Sequence, residues 1–263
     1  MDQMPVKASV NYHVHKPERQ AFHIDAEGIK GNLISPELLA TEIHVEDARA
    51  HAGSVTFAND SATFLNSPTK AEITRENENW CNTYDQELSS LLSDEFNASE
   101  VVIFDHTIRV DEPNAVRPPA RNVHSDYSED GAKQRLVDIL GAEKAAKWAE
   151  GHYAFLNIWR PLENPINSAP LGFIRPSSLD EKDWLLLDLI YPDRIGQILG
   201  VVGNPNHKWI YQSKMTPDEV VVFNIYDNQG LPSVAHSALD MTEDKNIKTI
   251  RKSIESRTLV RLS

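Results

Sequence analysis

The 263-residue chain has a globular composition, since 40% of its residues are hydrophobic and 25% are charged. Its net charge of −13 disfavours binding to nucleic-acid phosphates and to anionic membranes. No apolar run is long enough for a membrane helix, and Met1–Tyr12 lacks the apolar core of a secretion signal. Because Cys81 is the only cysteine, no disulfide can form within the chain, which favours a reducing, cytoplasmic location.

The first half of the chain combines short strands with one helix. Alternating runs at Ala8–His13 and Glu42–Val45 predict strands among polar turns. Apolar residues recur at helical spacing in Asn79–Phe96, which predicts a helix. The β-branched segment Glu100–Val110 predicts a buried strand, and the three prolines of Asp111–Ala120 predict a loop.

The second half is predicted to hold one helix, Ala132–Glu150, followed by a series of short strands. The predicted strands are Tyr153–Trp159, Trp184–Tyr191, Lys208–Gln212, Glu219–Tyr226, Ser233–Ala238 and Ser253–Leu262. Such a series, with turns between its members, is typical of a sandwich, a barrel or a jelly roll. We therefore predict a mostly-β fold with flanking helices.

His124 and Asp126, in the segment Asn122–Tyr127, form the strongest chemical feature of the sequence. Residues two apart on a strand point to the same face, so the imidazole and the carboxylate project side by side. Two histidines and one carboxylate on one face of an iron(II) ion leave its other positions open for oxygen and a co-substrate. A lone His-x-Asp pair is also common in solvated turns, so the spacing alone does not establish a metal site.

The third ligand has to come from a distant strand, and the sequence offers ten histidines. Those in the polar N-terminal third, ahead of the predicted core strands, are His13, His15, His23, His44 and His51. His236 lies one strand before the end of the chain, where jelly-roll oxygenases place their second histidine. We therefore predict that His124, Asp126 and His236 are the metal ligands and the catalytic centre.

A second candidate site lies on the last predicted strand. If the co-substrate is 2-oxoglutarate, its far carboxylate needs a cation, and the guanidinium fork of arginine matches a carboxylate best. Arg251 and Ser253 form an Arg-x-Ser pair, an arrangement that several oxygenases use for this carboxylate. Arg257 is the rival on the same face of the strand. The apolar residues of the strand do not fall on one face, so the sequence leaves the choice of arginine open.

Eight short motifs, in order from about residue 10 to the C-terminus, resemble the AsaB-type hydroxylase/desaturase family. Its relatives include the cephalosporin methoxylation protein, gibberellin desaturase and the endoperoxide-forming oxygenase of fungal meroterpenoid pathways. The motifs are Asn32–Glu37, Ala98–Thr107, Arg117–Ala120, Asn122–Ser128, Asn157–Leu162, Asp188–Asp193, Met215–Glu219 and His236–Ala238. Each motif is short, but eight in order are highly specific.

The resemblance implies a cupin-like double-stranded β-helix that binds iron(II) and uses 2-oxoglutarate and oxygen. It implies that residues 1–263 form a single non-heme iron oxygenase domain, with His124, Asp126 and His236 as the iron ligands. The final Arg-x-Ser pair and Arg257 match the closing strand of the family. The implied activity is hydroxylation, desaturation or a related oxidation of a small-molecule intermediate, by analogy one of secondary metabolism.

This sequence departs from its relatives at Thr242–Lys248, a polar stretch where they tend to carry a proline-bearing loop. The departure puts in doubt the contacts of a lid, and it leaves the metal ligands unaffected.

Two other functions fit the same pattern. One is a non-catalytic helper that holds a small molecule for a partner protein of its pathway. The other is a zinc hydrolase with the same three ligands, for which Glu129 is only a weak candidate as general base. A homodimer or a pathway partner remains an open expectation.

Overall fold

The computed structural model describes residues 5–29, 32–50, 53–241 and 249–263. Two β-sheets face each other across the main apolar core, and α-helices flank them. The predicted mostly-β fold with flanking helices is therefore confirmed. The prediction of one domain over residues 1–263 stays a prediction.

The larger sheet has the strand order β15-β1-β4-β12-β9-β14-β7-β11-β10-β2-β3. Its strands are β1 (Val6–His13), β2 (Gln20–Ile24), β3 (Leu33–Ile34), β4 (Leu38–Asp47), β7 (His124–Ser125), β9 (Leu171–Ile174), β10 (Trp184–Ile190), β11 (Ile195–Val201), β12 (Trp209–Tyr211), β14 (His236–Ala238) and β15 (Asp240–Met241). Strands distant in the sequence are thus neighbours in the middle of the sheet, where β14, β7 and β11 lie side by side.

The smaller sheet has the strand order β5-β13-β8-β16-β6. Its strands are β5 (Ala62–Asn66), β6 (Ala98–Val110), β8 (His152–Pro161), β13 (Glu219–Asp227) and β16 (Lys252–Leu262). The central strands β8 and β16 are buried along nearly their whole length. One face of this sheet meets the larger sheet, and the other meets a helix.

The helix behind the smaller sheet is α2 (Cys81–Phe96). Its buried residues Tyr84, Leu88 and Leu92 are spaced by four, so they form one stripe that packs against the sheet. The other helices are α1 (Phe57–Asp60), α3 (Glu129–Leu140) and α4 (Ala142–Ala149), with short 3-10 turns at Ala26–Gly28, Ala48–Ala50, Pro176–Ser178 and Glu181–Asp183. Because α2 covers the outer face, apolar residues occur on both faces of β16, which explains why its sequence shows no single apolar face.

The N-terminal strand β1 is part of the larger sheet, between β15 and β4, and it ends beside the strands of the candidate site. Val10 and Tyr12 are buried in a cluster separate from the main core. Asn11 forms an isolated bridge with Asn122, and His13 forms one with Val202. The end of β1 therefore lies next to both β7 and β11.

The single helix predicted over Ala132–Glu150 is wrong, because the structure divides it into α3 and α4. Gly141 separates them with φ +75°, a backbone conformation that residues with a side chain rarely adopt. Its N–H closes α3 on the carbonyl of Val137, and its own carbonyl accepts from Ala145 in α4. The glycine thus ends one helix and begins the next.

The other differences from the predicted elements concern short strands. The sequence gives no prediction for β9 or β11, and β7 extends over only two residues. The polar stretch 242–248 lies outside the described residues.

Among the helices of the described part, none combines the length and the apolar character that a membrane crossing requires.

Candidate metal centre

The structure brings His124, Asp126 and His236 together, with one possible ligand atom of each within 4.8 Å of the others. His124 and His236 are directly opposite each other on the neighbouring strands β7 and β14. Their ring centroids are 4.5 Å apart. Asp126 follows β7, and its Oδ1 lies 3.5 Å from Nε2 of His124. Backbone pairing in the middle of the larger sheet therefore aligns the three side chains.

Two backbone carbonyls orient the imidazoles. Nδ1 of His124 lies 2.8 Å from the carbonyl oxygen of Asn122, and Nδ1 of His236 lies 3.3 Å from that of Val234. A carbonyl can only accept a hydrogen bond, so each Nδ1 carries a proton and Nε2 is the ring nitrogen available to a metal ion. Burial, followed by the nearby His124, lowers the pKa of His236 to about 3. Both rings are thus oriented to offer Nε2 to a cation, and burial favours the neutral form of His236.

The carboxylate of Asp126 is held on one side by two donors. Its Oδ2 accepts from Nε of Arg257 at 3.0 Å and from Nδ2 of Asn157 at 2.8 Å. Burial alone raises the pKa of this carboxyl, but the adjacent Arg257 cation and hydrogen bonding hold that pKa well below its usual range. Oδ1 is left on the side of the histidines. The group is therefore an oriented anion, which is the form that a metal ion needs.

Arg257 contacts three carboxylates. Besides Asp126, its Nη1 lies 2.6 Å from Asp105 and its Nη2 lies 2.5 Å from Glu255. Burial by itself lowers the pKa of Arg257, but the carboxylates, with Glu255 first, raise that pKa well above its usual value. The fork of this arginine is thus occupied by groups of the protein.

Arg251 and Ser253 lie at the start of β16, and both are almost completely buried. Nε and Nη1 of Arg251 and Oγ of Ser253 have no hydrogen-bond partner within the described residues. The guanidinium of Arg251 stacks on the ring of Trp159, 5.3 Å from its centroid. Burial, with Arg109 beside it, lowers the pKa of Arg251 to about 9. A buried cation with unpaired donors fits the carboxylate of a small ligand.

Arg109 belongs to the same group of side chains, although no sequence motif indicates it. It is paired in register with Ser253, so the two side chains share one face of the smaller sheet. Its Nη1 donates to the carbonyl of Pro118 at 3.0 Å. The alternation of side chains along one strand relates only residues of that strand, and Arg109 is on the neighbouring strand β6.

His13 is a second residue near the metal centre that its place in the sequence does not indicate. It is 2% exposed, and neither ring nitrogen has a hydrogen-bond partner within the described residues. Its ring packs edge-on against Phe22, and it fills the space beside Gly200, the residue directly opposite His124. Burial, followed by the nearby His124, lowers the pKa of His13 to about 4. A buried neutral imidazole therefore supports the backbone behind the metal centre.

A cavity of about 700 Å³ opens beside the metal centre, with Asp126 and Arg257 in its wall. Strand β6, helix α3 and the hairpin of β10 and β11 supply the other walls. Its size is that of a site for a small organic molecule. Glu129, weighed as the general base of a hydrolase, is exposed on α3 and paired with Lys133 at 2.6 Å.

The sequence matches a family described as an oxidoreductase/YMDC permease-like domain over residues 10–261. The hydroxylase/desaturase efuI of Hormonema carpetanum is 29% identical over 246 residues, with 82% of each chain covered. The Fe(II)/2-oxoglutarate-dependent dioxygenase nvfI of Aspergillus novofumigatus is 25% identical over 262 residues, with 95% of this chain and 82% of that protein covered. These relatives confirm the resemblance that the eight motifs predict.

The solved structure of the iron and alpha-ketoglutarate-dependent endoperoxidase NvfI superimposes with a TM-score of 0.87. The superposition covers 99% of each chain at 20% sequence identity. At this identity the likeness shows the fold, and the predicted jelly-roll class is confirmed.

Proposed function

This chain belongs to the oxidoreductase/YMDC permease-like domain family, and we propose that it is an iron(II)- and 2-oxoglutarate-dependent oxygenase. The reaction is a hydroxylation, a desaturation or a related oxidation of a small organic molecule, which we place in secondary metabolism. One observation carries the proposal: ligand atoms of two imidazoles and one carboxylate converge within 4.8 Å beside a ligand-sized cavity.

The donor set of His124, Asp126 and His236 suits iron(II). Two imidazole nitrogens and one carboxylate oxygen are the protein ligands of the non-heme iron oxygenases, and they leave positions free for other ligands. The bound iron supplies the oxygen chemistry that side chains lack. The carbonyls of Asn122 and Val234 keep the two rings in the required tautomer, and Arg257 with Asn157 keeps the carboxylate charged and oriented.

Arg251 and Ser253 are the proposed anchor for the far carboxylate of 2-oxoglutarate. The orphaned donors of both residues support this assignment, because an anion there would satisfy a buried cation whose Nε and Nη1 have no hydrogen-bond partner in the described part of the chain. Arg109 adds a second positive charge on the same face. Arg257 has its fork filled by Asp126, Asp105 and Glu255, so we assign it to the support of the metal ligand.

The protein also determines where the reaction takes place. The jelly-roll walls exclude water from the buried histidines, while the cavity beside Asp126 admits a substrate.

We propose a cytosolic location, since ferrous iron and the unpaired thiol of Cys81 both suit a reducing compartment. An assembly as a homodimer, or with another protein of its pathway, stays a prediction.

The test is the visible charge-transfer band of an iron(II)–2-oxoglutarate chelate, measured without oxygen. We expect the parent protein to show the band and His236→Ala to lose it. His44→Ala, which removes an exposed histidine of β4, is the matched control and should keep the band. Iron binding without a band would reject 2-oxoglutarate as the co-substrate. No iron binding in the parent would reject the oxygenase and favour the non-catalytic helper.

A further inference from the structure

The cavity beside the metal centre is lined by more arginines than carboxylates, five against four. Besides Arg257, four arginines line it: Arg109, Arg117, Arg135 and Arg194. Two of the four lining aspartates, Asp105 and Asp126, are bound by Arg257. The remaining two are Asp130 and Asp138, both exposed on α3. This surplus is notable in a chain whose net charge is −13.

Arg135 is the best placed of these cations. It lies on α3, and its guanidinium stacks on the ring of Phe104, 4.9 Å from the centroid. Tyr127, which directly follows the candidate ligand Asp126, lines the same cavity as Arg135. Among the described residues, no carboxylate oxygen lies within 4.0 Å of a nitrogen of Arg135. The side chain is therefore held in place by its contact with the Phe104 ring, and no carboxylate neutralises its charge.

The neighbouring charges do not supply the missing partner. Asp138 accepts from Gln134 at 2.8 Å, one turn away on the same face of α3. On the opposite wall, Arg194 stacks on the Tyr191 ring, 4.0 Å from its centroid. Among the carboxylates of the described residues it pairs only with that of the adjacent Asp193, at 3.4 Å on the exposed surface. The walls thus present guanidinium groups backed by aromatic rings.

We propose that the substrate is a hydrophobic small molecule that carries a carboxylate, and that Arg135, assisted by the Tyr127 hydroxyl, binds this group. The proposal rests on the proposed function, since it takes the cavity beside the metal centre to be the substrate site. Phe104, Leu189, Tyr191 and Ile198 supply apolar and aromatic surface for the rest of the molecule. Arginine is suited to the task because its fork forms two parallel hydrogen bonds with a carboxylate.

A pair of probes of nearly equal shape tests the charge preference directly. Biphenyl-4-carboxylate and biphenyl-4-carboxamide differ mainly in charge, and calorimetry on the metal-free protein at pH 7.5 measures both affinities. We expect the carboxylate to bind about tenfold more tightly, as a charged hydrogen-bonded pair would give. Arg135→Gln should abolish this preference and leave the affinity for the carboxamide unchanged.

Three further variants test which arginine causes the preference for the carboxylate probe. Arg261→Gln removes a cation outside the cavity and should keep it. Arg251→Gln should also keep it, because its guanidinium lies in the proposed 2-oxoglutarate site. Arg135→Lys, which retains the charge and loses the fork, should keep only part of it. Thermal unfolding of each variant checks that the fold is intact.

Several results would overturn the proposal. These are equal affinity for the two probes, no binding of either probe, retention of the preference in Arg135→Gln, or its loss in Arg251→Gln. The charge-transfer band provides an independent readout, and Arg135→Gln should keep it. The two proposals can fail separately. If the parent protein lacks the band but prefers the carboxylate probe, and Arg135→Gln removes this preference, then the proposed oxygenase function is wrong and the carboxylate site is supported.

Discussion

Nε of Arg257 lies 3.0 Å from Oδ2 of Asp126, although the two residues are 131 positions apart in the sequence. Asn157 donates to the same oxygen, so both donors fix one side of the carboxylate and leave Oδ1 toward His124. The smaller sheet, through β8 and β16, thus orients a ligand that the larger sheet carries. The relative position of the two sheets therefore determines the geometry of the candidate metal centre.

Arg257→Lys should weaken iron(II) binding by roughly tenfold. Lysine keeps the charge but cannot span Asp126, Asp105 and Glu255 at once, so the carboxylate loses its fixed orientation. Equilibrium dialysis against iron(II) without oxygen measures the change. Arg261→Lys, on the same strand, is the control. Equal iron affinity in the parent and Arg257→Lys would show that the contact does not position Asp126.

Arg251→Gln should remove the ability to distinguish 2-oxoglutarate from 2-oxobutanoate, which shares the keto-acid end but lacks the far carboxylate. In the parent we expect the dicarboxylate to bind about 100-fold more tightly, because Arg251 is a buried cation with unpaired donors. The charge-transfer band, titrated with each keto acid, gives both affinities. If Arg257→Lys loses the distinction and Arg251→Gln keeps it, the anchor is Arg257.

The stability of the metal-free protein should fall between pH 7 and pH 5, partly through His13. Burial lowers the pKa of this imidazole from 6.5 to about 4, so below pH 6.5 the unfolded chain binds a proton that the folded protein does not. The contribution of His13 is therefore complete above pH 6.5 and is lost as the pH falls toward 4. From pH 7 to pH 5 this amounts to about 2 kcal/mol of unfolding free energy.

Urea unfolding at the two pH values measures this dependence. His13→Leu removes the titrating group and keeps similar bulk. In this variant the unfolding free energy should fall by about 2 kcal/mol less between pH 7 and pH 5 than in the parent. His44→Gln, which removes an exposed imidazole of β4, is the control. An unchanged pH dependence in His13→Leu would mean that His13 is not buried in the neutral form.

Gly200→Ala should destabilise the fold by about 1–3 kcal/mol. A methyl group at this position would lie 2.6 Å from Cδ1 of Leu187 and 2.7 Å from Cδ2 of His13, so both side chains have to move. Gly196→Ala, on the same strand, would make only ordinary contacts, the nearest at 3.7 Å, and should change stability by less than about 0.5 kcal/mol. Equal unfolding free energies for the two variants would contradict this packing.

Local patterns were sufficient to predict the strands β6, β8, β13 and β16, because β-branched residues and alternation are properties of a few neighbouring residues. The same holds for His124 and Asp126, which are two positions apart. Selecting His236 also required knowing where jelly-roll oxygenases place their second histidine, since ten histidines offered similar local signals. The chemistry of the candidate centre was thus accessible from motifs, while its geometry was not.

What the sequence did not predict depends on contacts between distant segments. His13 was set aside as part of a polar region, yet β1 carries it to the back of the metal centre. The occupied fork of Arg257 and the orphaned donors of Arg251 separate two arginines that alternation alone made equivalent. The left-handed conformation of Gly141 divides a helix whose apolar stripe looked continuous.

The burial of β8 and β16 on both faces has a consequence for how the activity can diversify. Each substitution on these strands disturbs either the metal centre or the packing of α2, so they are expected to tolerate little change. Helix α3 and the hairpin tip around Asp193 have one side in solvent while the other borders the cavity. New substrate ranges should therefore arise from substitutions in these two outer walls. A mutant library restricted to them would vary the substrate selectivity and leave the metal centre and its supporting strands unchanged.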